Sequence, residues 1–185
     1  MTVRRAPRFL VLMFIAFLAL PLSIVNAQSN DLDTWEAEFF PVSVSYDGDL
    51  WKNRSTSSFD SNERFQITAR ATVFTLQAFD NDTLDGESCL SAYIDSIADI
   101  DGVSTMEEND TLDMPTGLRG ASDTLVTYEF LWPGRESSVP MVQYLSCQRL
   151  DEGSLLLIGI ETRAGIYDEE IEIINAILDG VAIDA

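Results

Sequence analysis

The chain has 185 residues, of which 31 are acidic and 11 basic, for a net charge of −20 at pH 7. That length suits one compact domain, and the acid excess argues against a nucleic-acid partner, whose phosphates call for basic side chains. Histidine is absent, which removes Ser-His-Asp and Cys-His nucleophile pairs and every His-ligated metal site, and two cysteines are too few for a thiolate zinc centre.

Residues 1–27 read as a secretory signal that is cleaved. Arg4, Arg5 and Arg8 precede an apolar run at residues 9–20, and Val25-Asn26-Ala27 offers the small side chains that a signal peptidase reads. The run is short of the roughly 20 apolar residues of a spanning helix, and Pro21 interrupts its continuation. No cysteine follows the leader to carry a lipid, and no second apolar span occurs. The mature chain is therefore expected outside the cytoplasm, secreted or periplasmic, with no membrane span after cleavage. Losing three arginines with the leader moves the net charge from −20 to −23.

In an oxidising compartment the two cysteines, Cys89 and Cys147, are expected to form a disulfide. Closing a loop of about 59 residues would stabilise the fold by roughly 4 kcal/mol on the chain-entropy model. The pair is not a C-x-x-C and has no lysine close in sequence to lower a thiol pKa, so its expected role is structural.

Residues 28–34 are polar, lack apolar periodicity and read as a flexible entry to a single domain at residues 35–185. Phe40, Val42, Val44 and Tyr46 alternate with Pro41, Ser43 and Ser45, the period of a half-buried strand that ends at Asp47-Gly48-Asp49. Residues 50–62 are serine-rich and expected to be irregular. Phe65, Ile67, Ala69, Ala71 and Val73 then mark one face of a long strand, whose far end, apolar on both faces, belongs in the middle of a sheet.

The period changes at Leu90, Tyr93, Ile94, Ile97 and Ile100, which recur at helical spacing. Asp85, Glu87 and Ser88 supply capping oxygen or charge at the start of this helix, and Gly102 offers a left-handed stop. After a mixed stretch with turns at Asn109-Asp110 and Met114-Pro115, three strands follow at residues 125–132, 141–150 and 155–162 and read as a meander. Met141, Leu145 and Cys147 share a parity, so Cys147 is expected to face the helix that carries Cys89. A second amphipathic helix closes the chain, with Tyr167, Ile171, Ile174, Ile177, Leu178 and Val181 on its apolar stripe, Asp168 as its expected cap and Gly180 as its stop.

The order from Gly117-Leu118-Arg119-Gly120-Ala121 through Thr127-Tyr128-Glu129-Phe130, a hairpin, Leu155-Leu156-Leu157-Ile158-Gly159-Ile160 and the helix opened by Tyr167-Asp168 resembles the PsbP-like group. With the preceding strand and helix, the resemblance covers residues 64–183. That group is a helix-sheet-helix sandwich shared by photosystem-associated lumenal proteins, a Ran-binding import factor and many exported bacterial proteins of unknown role. The resemblance implies an α+β fold, an antiparallel sheet flanked by two amphipathic helices, and binding or assembly roles in place of catalysis. It transfers no site residue.

No catalytic, cofactor-binding or metal-ligating residue is assigned from the sequence, and no cofactor is implied. Asp80-Asn81-Asp82-Thr83-Leu84-Asp85-Gly86-Glu87 places four carboxylates in eight residues, a hard-oxygen cluster of the kind calcium takes, but Leu84 and Asp85 stand where an EF-hand needs an oxygen donor and a glycine. Asp99, Asp101, Glu107, Glu108 and Asp110 form a second acidic stretch. Asn81-Asp82-Thr83-Leu84-Asp85 recurs as Asn109-Asp110-Thr111-Leu112-Asp113, read as repeated turn chemistry. Asn53, Asn81 and Asn109 head glycosylation acceptors that matter only in a eukaryotic secretory route. Trp35, Trp51 and Trp132 read as core or its rim, with a ligand surface as the alternative. The acid excess is either a solubility device or a docking face for a basic protein or cell-surface partner. The expectation is thus a secreted, non-enzymatic binding or accessory protein with an unknown partner. The alternatives are a calcium-stabilised extracellular module and a small hydrolase that uses paired carboxylates.

Overall fold

The computed structural model describes residues 32–104 and 106–184; the expected leader and residues 28–31 lie outside the described residues. The first strands are β1 (Asp33–Glu36), β2 (Val42–Tyr46), β3 (Lys52–Phe59), β4 (Asn62–Ala69) and β5 (Thr72–Asp80). Helix α1 (Gly86–Ala98) follows, then β6 (Glu107–Glu108), β7 (Ser122–Phe130), β8 (Val139–Arg149) and β9 (Ser154–Arg163). A single 3-10 turn at Ala164–Ile166 leads into α2 (Tyr167–Asp179), and β10 (Val181–Ile183) ends the chain.

Seven of these strands form one antiparallel sheet in the order β3-β4-β5-β9-β8-β7-β6, and β1, β2 and β10 form a small second sheet. Strand alternation sorts the large sheet's side chains between two cores. Phe65, Phe74, Leu76, Tyr144, Leu156 and Ile158 meet α2 and the small sheet on one face. Val126, Leu145, Cys147, Leu155 and Leu157 meet Cys89 and Leu90 of α1 on the other. The two sheets are joined by Trp35 of β1, whose ring stacks on Phe65 of β4 at 4.8 Å between centroids, an arrangement that adds to the area both rings bury. This is the layered α+β architecture expected, with α1 and α2 on opposite faces.

Four local expectations are corrected. The serine-rich stretch at residues 50–62 is not irregular: β3 pairs along β4 with every residue exposed, so it gains its structure from ladder hydrogen bonds at the sheet edge and not from burial. The long strand from Phe65 is a hairpin, because the chain reverses at Arg70-Ala71 with Arg70 at φ 52°, and Ala69 pairs with Thr72. The two-residue turn switches parity, so the buried series passes from Phe65, Ile67 and Ala69 to Phe74, Leu76 and Ala78. The segment at residues 28–34 is not wholly irregular, since Asp33 and Thr34 already pair with Tyr46 and Ser45.

The helix ends supply the fourth. Asp85 caps α1 as expected, its carboxylate accepting from the Ser88 N–H at 2.8 Å, but α2 starts at Tyr167 with no side-chain cap, and Asp168 lies in its first turn. Gly180 is the C-cap of α2, as expected, but the left-handed stop expected at Gly102 does not close α1. Helix α1 ends at Ala98, before Gly102 reaches φ 92°, and Gly180 is right-handed. Gly180 is required by proximity: its carbonyl accepts from the Ser45 N–H, and a Cβ there would stand 2.0 Å from the Ser45 carbonyl oxygen.

Candidate functional site

The Cys89–Cys147 disulfide fastens the first turn of α1 to β8, with the two Cα atoms 6.3 Å apart, as the shared parity of Cys147 and Leu145 requires. From that anchor the far half of α1 passes over the region of β7, β8 and β9 where the sheet's own side chains turn polar and aromatic. Tyr93, Ile97 and Ile100 from α1 and its exit stand over Tyr128, Gln143 and Glu161, leaving a cleft of about 220 Å³ with Phe130 and Trp132 at one end.

The floor is built by register. Gln143 lies opposite Glu161 in the β8–β9 ladder and opposite Val126 in β7, so the amide and the carboxylate rise side by side from rigid strands. The Tyr128 hydroxyl donates to Glu161 Oε2 at 2.7 Å, a charge-assisted hydrogen bond that fixes the carboxylate. Gln143 is only 5% exposed, and its Oε1 has no hydrogen-bond partner. Such an atom bears a desolvation cost of about 1–3 kcal/mol, recovered only when a donor reaches it. Gly159 leaves room beneath: a Cβ there would lie 3.4 Å from Gln143 Nε2 and 3.8 Å from the Tyr93 hydroxyl.

Burial pushes the Tyr93 phenol above its ordinary pKa and the Glu161 charge adds to this, while the neighbouring Gln143 amide acts the other way. Burial and Glu161 together push Tyr128 up strongly. Both phenols therefore stay protonated, and the Tyr128 hydroxyl serves as a hydrogen-bond donor. Among the residues lining the cleft, Glu161 is the one with a formal charge.

The three tryptophans divide. Trp35 and Trp51 are core residues, the second edge-on to Phe74, whereas Trp132 is 48% exposed, sits edge-on to Phe130 at 4.5 Å and borders the cleft. Trp132 also borders a second depression that contains Arg135, Val139 and Arg163.

The acidic loop at residues 80–87 is organised from within the protein. Asn81 Oδ1 accepts from the Thr83 N–H, the Thr83 hydroxyl and the Leu84 N–H, an Asx turn. The Arg149 guanidinium donates to the carbonyls of Asn81, Asp82 and Leu84, so a cation of the protein's own occupies the oxygens that the loop turns inward. Asn109 makes the same three bonds to Thr111 and Leu112, so the repeated pentapeptide is a repeated turn, with Leu84 packed on one core and Leu112 on the other. Among the described residues no three carboxylate or thiol groups converge as a metal site would require. Glu87, Glu108 and Asp123 border an open depression of about 610 Å³ between α1 and β7, and all three are exposed, whereas a general acid needs a carboxyl withdrawn from water.

Two buried carboxylates are structural. Glu170 of α2 accepts from Arg70 at 3.0 Å and Thr72 at 3.1 Å, holding the β4–β5 turn against the helix. For Glu63, burial works to raise the pKa, but the Glu38 and Phe39 N–H groups and the Ser58 hydroxyl outweigh it and hold the carboxyl below its usual range.

No sequence reasoning assigned Gln143, Glu161, Tyr93 or Tyr128 to a site. The available signal was the polar and small residues, Gln143, Gly159 and Glu161, set within strands that are mostly apolar.

The chain matches no family model and no curated protein. Among solved structures it is similar to the solution structure of cyanobacterial PsbP (CyanoP) from Synechocystis sp. PCC 6803, at a TM-score of 0.50 and 8% identity, over 86% of this chain and 96% of that one. The match extends beyond residues 64–183, so the likeness takes in part of the chain outside the stretch in which the sequence resembles that group. Among the described residues no helix is long and apolar enough to cross a membrane. Element order, the helices on opposite faces of the sheet and this match together establish that the chain has a PsbP-like fold.

Proposed function

We propose that the protein is an exported, non-enzymatic binding or accessory protein whose ligand seat is the cleft between α1 and strands β7 to β9. The observation that carries this reading is Gln143 Oε1, an acceptor deep in a concave, aromatic-walled space and left without a donor. Pockets with apolar walls and a few convergent polar groups are where small molecules bind. The disulfide and the leader-like residues 1–27 support export, because an isolated cysteine pair joins and persists in an oxidising compartment. Absence of catalysis is proposed on the same geometry: the cleft holds one carboxylate, already tied to Tyr128, and no nucleophile beside a base.

The test is a panel of chemically varied small molecules followed by amide and indole NMR shifts of the labelled protein. Compounds that move the Trp132 indole and the Gln143 side-chain amide support the seat. A panel whose binders all shift residues elsewhere, or that contains no binder, contradicts it.

A further inference from the structure

We infer that the cleft is built for a compact organic ammonium group, held by cation–π contact with its aromatic walls and by the Glu161 carboxylate; this rests on the cleft being the ligand seat. Three observations lead there. The walls include Tyr93, Tyr128, Phe130 and Trp132, four rings whose faces or edges border one small space. A ring face carries the negative lobe of its quadrupole, and a cage of several rings is the environment in which a quaternary or substituted ammonium is favoured.

The polar groups agree in sign. Glu161 supplies the charge that lines the cleft, and the unpaired Gln143 Oε1 adds a second negative dipole end beside it. An anionic ligand would meet both head-on, and a hydrocarbon with neither positive charge nor donor would leave the Gln143 oxygen uncompensated, whereas a cation is drawn to its negative dipole end. The Tyr128 hydroxyl already donates to Glu161 and so fixes the position of its carboxylate. Opposing charges lie outside the lining: Arg64 bears on the Tyr93 phenol from the β4 side, and Arg135 and Arg163 lie with Trp132 in the neighbouring depression.

Size is the third. A closed cavity of about 150 Å³ accommodates benzene, so about 220 Å³ in this cleft is room enough for a compact head group. A net charge of −20 also draws small cations toward the whole surface, and a test must separate this diffuse attraction from seating in the cleft.

The experiment compares choline with its uncharged isostere, 3,3-dimethyl-1-butanol, by NMR shift titration at about 0.15 M salt, where interactions between exposed charges are largely screened beyond about 8 Å. Choline is expected to shift the Trp132 indole and the Gln143 amide saturably and to bind at least about tenfold more tightly than the isostere. Glu161→Gln is expected to weaken choline by about tenfold, and Trp132→Leu, at a half-exposed position that the core does not need, to weaken it without loss of fold. Equal binding of choline and isostere would overturn the ammonium assignment while leaving the cleft as a ligand seat. Failure of choline to shift the cleft would also overturn it, and the seat itself would then stand or fall by the broader panel. A choline response unchanged in Trp132→Leu would likewise overturn it.

Discussion

Gln143 and Glu161 face each other across the β8–β9 ladder and rise toward α1, placing an unpaired carbonyl oxygen beside a carboxylate on two interior strands of the sheet. Because both residues stand on strands and not on loops, the polar floor of the cleft is positioned before any ligand arrives, and little ordering cost remains on binding. Helix α1 is the facing wall, fixed at its first turn by the disulfide and packed against the sheet at Leu90 and Ile97.

Filling the cleft from below should separate binding from folding. In Gly159→Val the new side chain would enter the space beside Gln143 Nε2 and the Tyr93 hydroxyl. Overpacking of this kind costs about 1–3 kcal/mol, while a β-branched residue suits the strand. The expected outcome is a folded protein with a lowered melting temperature and no ligand response, checked by circular dichroism and titration. Full retention of binding would place the seat elsewhere.

The Cys89–Cys147 link should contribute roughly 4 kcal/mol on the chain-entropy model, since it closes a loop of sequence separation 58. Urea unfolding of the oxidised protein against the Cys89→Ser, Cys147→Ser double variant measures this. A clear fall in midpoint is expected, accompanied by faster hydrogen exchange in α1, which the bond holds to the sheet. An unchanged midpoint would mean that packing at Leu90 and Leu145 already suffices.

Glu63 sets an acid limit on stability. Its folded pKa lies below the ordinary value of 4.5, so the carboxylate's contribution is complete above that pH and is lost as pH falls through the depressed folded value. Glu63→Gln, whose amide offers one acceptor and would turn an NH2 toward the Glu38 or Phe39 N–H, should cost on the order of 2 kcal/mol at neutral pH. That difference from the native protein should shrink in acid. Urea midpoints of both proteins from pH 7 to pH 3 check it, and a difference constant with pH would contradict the assigned cause.

Calcium should leave the melting temperature unchanged at millimolar concentration. The loop at residues 80–87 presents its carbonyls to Arg149, which a divalent ion would have to displace at a cost in three hydrogen bonds. Arg149→Gln should instead lower the melting temperature and raise hydrogen exchange at Thr83 and Leu84. A calcium-dependent rise in the native protein would revive a calcium-stabilised module.

Periodicity in the chain foretells the parts of the fold that are half-buried, and is silent where burial is absent or where a turn lacks its usual residues. The stripes of α1 and α2 are legible because one face of each helix is apolar, β8 and β9 because they are runs buried on both faces between turn residues, and the pairing of Cys89 with Cys147 because the sequence has two cysteines behind a leader-like segment. Strand β3 is not, since all eight of its residues are exposed and its order comes from hydrogen bonds to β4, which no side-chain pattern records. The β4–β5 reversal is hidden because Arg70 takes the left-handed conformation that a glycine or asparagine would have advertised. The cleft escapes for a third reason. Tyr93, Tyr128, Gln143 and Glu161 come from four elements and meet only through strand register and the seating of α1, and each alone reads as an ordinary residue of its helix or strand.

The most direct measurement is of intermolecular nuclear Overhauser effects from the N-methyl protons of bound choline. Contacts to the ring protons of Tyr93, Tyr128 and Trp132 are the predicted result. Contacts confined to residues outside the cleft, such as those of the acidic depression at Glu87, Glu108 and Asp123, would contradict the account.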